Sequence, residues 1–204
     1  YHGWEFDASG SLKYAQDPDD FDGGNPCDKV KLKEVECEIA LGFIWVNLSE
    51  KPRAFEEALS PILDHLRPYQ GEKFIRVLNL TAEVDCNWKV IHDNFNESYH
   101  LPTLHPELEV HIENSYKYSQ FDMYENGHNR MLMPGHLPAK ESKNPDLVDF
   151  PLDEALKAWD LDPNDFEGKA QNTREAIQKQ KKKLAKDRGF WHYEHLTDEQ
   201  LTDY

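Results

Sequence analysis

The chain has 204 residues, long enough for one full domain and part of another, with 38% hydrophobic residues and a mean hydropathy of −0.83. No apolar run approaches a membrane span, and a formal net charge of −16 argues against nucleic acid, whose phosphates need a basic surface. Cys27, Cys37 and Cys86 form no CxxC pair and no disulfide framework, which points to reduced thiols in a cytoplasmic protein.

Along the chain, Trp4–Phe6 and Leu12–Tyr14 flank a turn at Ala8-Ser9-Gly10 and predict a hairpin. A loop rich in Asp, Gly and Pro follows from Asp17 to Cys27. Leu32–Ile39 and Gly42–Leu48 then read as two further strands of a small antiparallel β-domain. Phe55–Leu66, with Pro52 before it and Pro68 after it, reads as a short linker helix. Phe74–Val84 alternates, with Leu78, Leu80, Ala82 and Val84 on one face and Asn79, Thr81 and Glu83 on the other, and predicts a long strand.

This strand leads into the most informative stretch, Asn87 to Pro106. Asp85 is a natural N-cap, and Trp88–Tyr99 predicts a helix with Trp88, Ile91, Phe95 and Tyr99 facing the core. Asp93, Glu97 and His100 fall at i, i+4 and i+7 on the opposite side. A continued helix would point His105 about 140° away from His100, since each residue turns about 100°. Pro102 forbids that continuation and pushes Leu101 out of the helical region, so the chain can bend and return His105 to face His100. Two His and one carboxylate on one side of a ferrous ion leave the other side open for dioxygen. No third ligand is evident in the sequence, and the H-E-x-x-H pattern of zinc proteases does not occur.

Lys140–Arg188 is polar and helical, with Asn172–Asp187 carrying Lys181-Lys182-Lys183, which reads as a solvated helix because it lies in an acidic chain without aromatic partners. His192 and His195 form an i, i+3 pair without a supporting pattern and are taken as surface residues. Thr197 with Gln200 makes a capping-box pattern, so a helix is expected to begin there and be cut short at Tyr204.

Residues 1 to 14 complete the picture. The pattern Y-H-G-W-x-F-D-x-x-G resembles the end of a Rieske iron–sulfur motif. Together with N-W-K-x-x-x-D-N-F-x-E-S-Y-H-x-x-x-x-H, it makes the chain similar to the large (alpha) subunit of Rieske non-haem iron ring-hydroxylating oxygenases. The resemblance is good over residues 1 to about 110 and looser beyond. It implies an α+β fold: residues 1–50 would be the second half of a Rieske antiparallel β-domain, 51–72 a linker helix, and 73–204 part of a helix-grip catalytic domain. It implies that His2 is the last ligand of a [2Fe–2S] cluster held by C-x-H and C-x2-H pairs, the other ligands lying upstream. It implies that His100 and His105 ligate a mononuclear Fe(II), and that Glu97 is the carboxylate linking this iron to a cluster histidine of a neighbouring subunit. Many members carry Asp there; Glu adds one methylene of reach. Asp93 is a candidate for the surrounding shell.

The implied activity is O2-dependent oxidation of an aromatic or related small molecule in a trimer or higher oligomer. Electrons would come from NAD(P)H through a reductase or ferredoxin, with no nucleic acid and no membrane involved. A chain that begins without Met is expected to be an internal segment of such a subunit. Within the class, dihydroxylation competes with monooxygenation and demethylation. Outside it stand a ligand-binding helix-grip module without catalysis and a zinc hydrolase.

Overall fold

A computed structural model describes residues 2–204; Tyr1, the first residue of the opening motif, lies outside the described residues. The chain divides into two compact units, one ending at Glu57 and the other spanning Ala58–Tyr204.

The first unit is built from two antiparallel hairpins, β1 (Glu5–Phe6) with β2 (Leu12–Tyr14) and β3 (Glu36–Ala40) with β4 (Phe43–Asn47). The first turns where Ala8-Ser9-Gly10 predicts. The Asp7 carboxylate accepts from the Ser9 hydroxyl and from the backbone N–H groups of Ser11 and Ser9, and these bonds hold its pKa at about 2. Leu12 is fully buried, and its backbone bonds to Val30 and Asp28 in the following segment. The second hairpin closes through Leu41-Gly42, with φ of 57° and 80°, the two left-handed residues that a type I′ turn requires. Its first strand starts at Glu36 rather than at Leu32. Leu32 instead donates its N–H to the Gly10 carbonyl, 2.8 Å away, and is committed to the first hairpin.

In the second unit, the expected single helix over Phe55–Leu66 is two short ones, α1 (Phe55–Leu59), which crosses from the first unit, and α2 (Ile62–Leu66). Pro61 has no N–H to donate and biases Ser60 away from helical backbone. The freed carbonyls are met from a distant turn: the Asn126 amide donates to Ala58 and Ser60, and a His128 ring nitrogen lies 2.7 Å from the Ala58 oxygen. That turn joins β5 (Gln120–Met123) to β6 (Asn129–Leu132), an antiparallel pair braced by Arg130 on Asp122.

Phe74–Val84 carries no regular structure, contrary to the strand expected from its alternation. A strand exists only through the ladder it shares, and no described segment pairs with this one. Its apolar residues stay in water, Ile75, Val77 and Leu80 each at least 80% exposed. The helix that follows, α3 (Trp88–Phe95), is capped by Asn87 rather than by Asp85, the Asn87 side chain accepting the Lys89 N–H at 3.0 Å. Its apolar side is exposed too: Trp88, Ile91 and Phe95, and Tyr99 beyond it, are on the surface rather than in a core.

The best-packed part is C-terminal, where α5 (Leu152–Ala158) lies on α6 (Thr173–Leu184). Leu152, Leu156 and Ile177 are fully buried between them, with Trp159, Leu161 and Phe166 around the edge. Each such side chain contributes about 1.5–3 kcal/mol. The last helix, α7 (Asp198–Thr202), starts with the full capping box of Thr197 and Gln200. It stops at Thr202. Asp203 leaves the helix for extended backbone, and Tyr204 exchanges two backbone hydrogen bonds with Met133, at 2.9 and 3.0 Å. Gly135 permits this closure, since a Cβ there would sit 2.3 Å from the Thr202 oxygen and the Tyr204 ring. No helix among the described residues is long and apolar enough to cross a membrane.

Candidate functional site

The site grows from the end of α3. The helix does not reach Tyr99 because Asn96 competes for the backbone: its side-chain amide donates to the His92 carbonyl at 2.9 Å, while its own N–H turns to Asp93. The helical alignment of Asp93, Glu97 and His100 is therefore not realised. Asp93 stays exposed, 3.5 Å from His92. Glu97 meets His100 by a different route. One carboxylate oxygen pairs with His100 Nδ1, and the other accepts the backbone N–H groups of Tyr99 and His100. Partial burial pulls the Glu97 carboxyl upwards, but the bonds from the His100 ring and the two N–H groups outweigh it and hold the group below its ordinary value.

Pro102 acts differently from the sequence expectation. It does not expel Leu101 from helical backbone; it sits in the first turn of a new short helix, α4 (Leu101–Leu104), where a missing N–H costs nothing. Leu101 is buried and anchors this turn, and His105 donates its N–H to the Leu101 carbonyl at 2.8 Å. Pro106 then ends α4 and opens a 3-10 turn, Pro106–Val110. The outcome is the convergence expected of the two imidazoles. The His100 and His105 rings lie 5.6 Å apart between centroids and cross at 75°.

At metal–nitrogen distances near 2.1 Å, two imidazoles sharing one ion have centroids roughly 4.5–5.6 Å apart. The pair sits at the outer edge of that range. His100 Nδ1 is held by Glu97, and His105 Nδ1 lies 3.5 Å from a Glu107 oxygen, so each ring presents Nε2 as its available donor. The residues fit the two-imidazole part of a ferrous site. Among the described residues no group of three or more His, Cys, Asp or Glu is placed to hold a metal. His2, in the first unit, lines a cavity of about 390 Å³ with Trp4, Gln16, Asp17, Asp20 and Phe21.

A second polar cluster went unnoticed in the sequence. His111 and His136 both pack on the Tyr204 ring, at 5.9 and 5.8 Å, and each has a buried Nδ1 without a partner. Lys181 Nζ donates to the Leu201 carbonyl and lies 3.3 Å from His136 Nε2. Burial first, then the positive charges of Lys181, His111 and Arg174, push His136 down to about 3; burial alone brings Lys181 to about 8. Lys181 is thus turned inward, while Lys182 and Lys183 of the same run are exposed as expected. His195 is exposed as well, but His192 is partly buried against Tyr193 and Phe190. Isolated histidines with no spacing pattern gave no signal of this cluster.

Residues 72–193 match the family model described as the ring hydroxylating alpha subunit, catalytic domain. The chain is 34% identical over 110 residues to the glycine betaine monooxygenase oxygenase subunit of Chromohalobacter salexigens, covering 53% of this chain and 24% of that protein. It is 32% identical over 110 residues to the carnitine monooxygenase oxygenase subunit of Acinetobacter pittii, covering 52% and 29%. It is 28% identical over 131 residues to the methanesulfonate monooxygenase hydroxylase subunit alpha of Methylosulfonomonas methylovora, covering 63% and 32%. The chain thus spans about a quarter to a third of the length of these relatives. In fold, it superposes on a crystal structure of the quaternary ammonium Rieske monooxygenase CntA with a TM-score of 0.50 at 24% identity, covering 66% of this chain and 40% of that one.

Proposed function

Because the chain belongs to the ring-hydroxylating alpha-subunit family through its catalytic domain, we propose that it is part of the oxygenase component of a Rieske non-haem iron enzyme, with His100 and His105 as two ligands of the mononuclear iron. The observation that carries this is the convergence of the two rings with the Glu97 carboxylate on His100 Nδ1. A ferrous ion held here supplies the centre at which O2 is activated, with electrons from NAD(P)H arriving through a reductase or ferredoxin and a [2Fe–2S] cluster.

The chain's own residues contribute orientation and proton placement. Glu97 keeps the proton of His100 on Nδ1, which fixes the tautomer and leaves the Nε2 lone pair free. Glu107 lies near His105 Nδ1, 3.5 Å away, without a hydrogen bond to it. Both Glu97 oxygens are engaged locally, yet a carboxylate offers about four acceptor positions and the side chain is 40% exposed. It can therefore also accept from a cluster histidine of a neighbouring subunit, the bridging role that the resemblance implies.

His2 would be one cluster ligand, with residues 1–50 as the second half of the Rieske β-domain, 51–72 as linker and 73–204 as part of a helix-grip catalytic domain. The working unit would be a cytoplasmic trimer or higher oligomer. The names of the relatives favour monooxygenation of a small polar substrate, of the quaternary ammonium or sulfonate kind, over dihydroxylation of an aromatic ring.

The test is iron analysis with visible spectroscopy on the full-length subunit. His100→Ala and His105→Ala should each empty the mononuclear site while the cluster bands remain. Full mononuclear iron and turnover in either variant would overturn the ligand assignment.

A further inference from the structure

The segment that carries both histidines is tied at its two ends to a single residue. Ser98, two positions before His100, is 5% exposed and donates its hydroxyl to the Asn114 carbonyl oxygen at 2.8 Å. Glu109, four positions after His105, accepts from the Asn114 side-chain amide at 3.2 Å. Asn114 thus uses its backbone on one end of the loop and its side chain on the other. The ground it stands on is fixed. The neighbouring Glu113 side chain is 1% exposed and takes the backbone N–H groups of Ser115 and Lys140, while the Glu113 N–H bonds to Pro134. Glu109 adds a third tie, its carbonyl accepting the Ala139 N–H at 2.7 Å.

We propose that Asn114 is a positioning residue that sets the separation of His100 and His105 by clamping both ends of their loop, an inference that rests on the pair being metal ligands only for its functional meaning. Pro102 and Pro106 stiffen the intervening chain, so fixing its ends transmits to the rings between them. Releasing the Ser98 end leaves the buried Asn114 carbonyl unpaired, releasing the Glu109 end leaves a part-buried carboxylate without its amide, and either lets the loop relax around the remaining tie. A site whose ligands must first be ordered binds more weakly than one already arranged.

The clamp is testable without metal. In the 204-residue chain, nuclear Overhauser contacts between the His100 and His105 ring protons should be present, and they should be lost in Ser98→Ala and in Asn114→Ala. Asn114→Asp should also abolish them, since two carboxylates then face each other. Adding Glu109→Gln should restore them, because the amide–carboxylate bond re-forms with donor and acceptor exchanged. Far-UV circular dichroism confirms that each variant is folded. If Asn114→Ala does not fold, the Asn114→Asp variant with and without Glu109→Gln decides the matter alone.

Zinc titration followed on the same two imidazoles, assigned with His100→Ala and His105→Ala, should show one shared binding event that the clamp variants weaken by about tenfold or more. Ring contacts and zinc affinity unchanged in the clamp variants would overturn the positioning role and leave the ligand pair intact. Ring contacts that obey the clamp, with imidazoles that never respond to zinc together, would uphold the positioning role and sink the ligand reading.

Discussion

Acidification below about pH 6.5 should weaken the packing of the C-terminal residues, and His136 is the reason. Its pKa is about 3 in the folded chain against an ordinary 6.5, because it is buried and faces Lys181, Arg174 and His111. A base whose folded pKa is depressed binds fewer protons folded than unfolded. Its contribution is therefore whole above pH 6.5 and is lost as pH falls from there towards 3. Each pH unit well inside that window costs about 1.4 kcal/mol, so going from well above pH 6.5 to about 4.5 removes about 2.7 kcal/mol. That is a large share of a typical domain's stability of about 5–15 kcal/mol. His111 shifts in the same direction through burial and adds to the slope. The comparison variant is His136→Asn, because His136 has φ 61° and Asn tolerates that backbone. Urea unfolding followed by circular dichroism at several pH values across the window gives both slopes. The variant should retain less than half of the wild-type loss. A wild-type stability that is flat over the window, or an equal slope in the variant, would refute the buried neutral imidazole.

Lys181, at about 8 in the fold against an ordinary 10.5, is also a base with a depressed pKa, so stability should rise again as pH climbs from about 8 to 10.5; Lys181→Met should remove that rise in the same urea assay. Gly135→Ala places a Cβ 2.3 Å from the Thr202 oxygen and the Tyr204 ring, and should lower stability by about 2–3 kcal/mol with release of the C-terminal residues, seen as fast amide exchange at Tyr204. Leu156→Ala empties a fully buried position between α5 and α6 and should cost about 2–5 kcal/mol in chemical denaturation. Glu97→Gln should leave the fold unchanged but reduce the fraction of His100 carrying its proton on Nδ1, read from the ring 15N shifts; an unchanged tautomer ratio would mean that the carboxylate does not set it.

The elements that could be read from sequence are those whose cause is local. The turn at Ala8-Ser9-Gly10 and the Thr197–Gln200 capping box each rest on a few adjacent residues, and each forms where expected. Elements that depend on distant partners fared differently. The alternation of Phe74–Val84 describes a surface able to pair, and α3 has an apolar side able to pack, but neither finds its complement among the described residues. The histidine pair sits between these cases. Its spacing and Pro102 announced a bend, yet the bend is made by Asn96 diverting the α3 backbone and by Pro102 starting a helix, details of side-chain competition that periodicity does not carry. What holds the bend in place, Ser98 and Glu109 on Asn114, spans residues far apart in the chain and of unremarkable type. The same holds for His111, His136 and Tyr204, which meet only because Gly135 lets the last residue of the chain lie flat against the segment after β6. The convergence of a histidine pair is thus legible from its own spacing, whereas the precision of the pair belongs to contacts that only the folded chain creates.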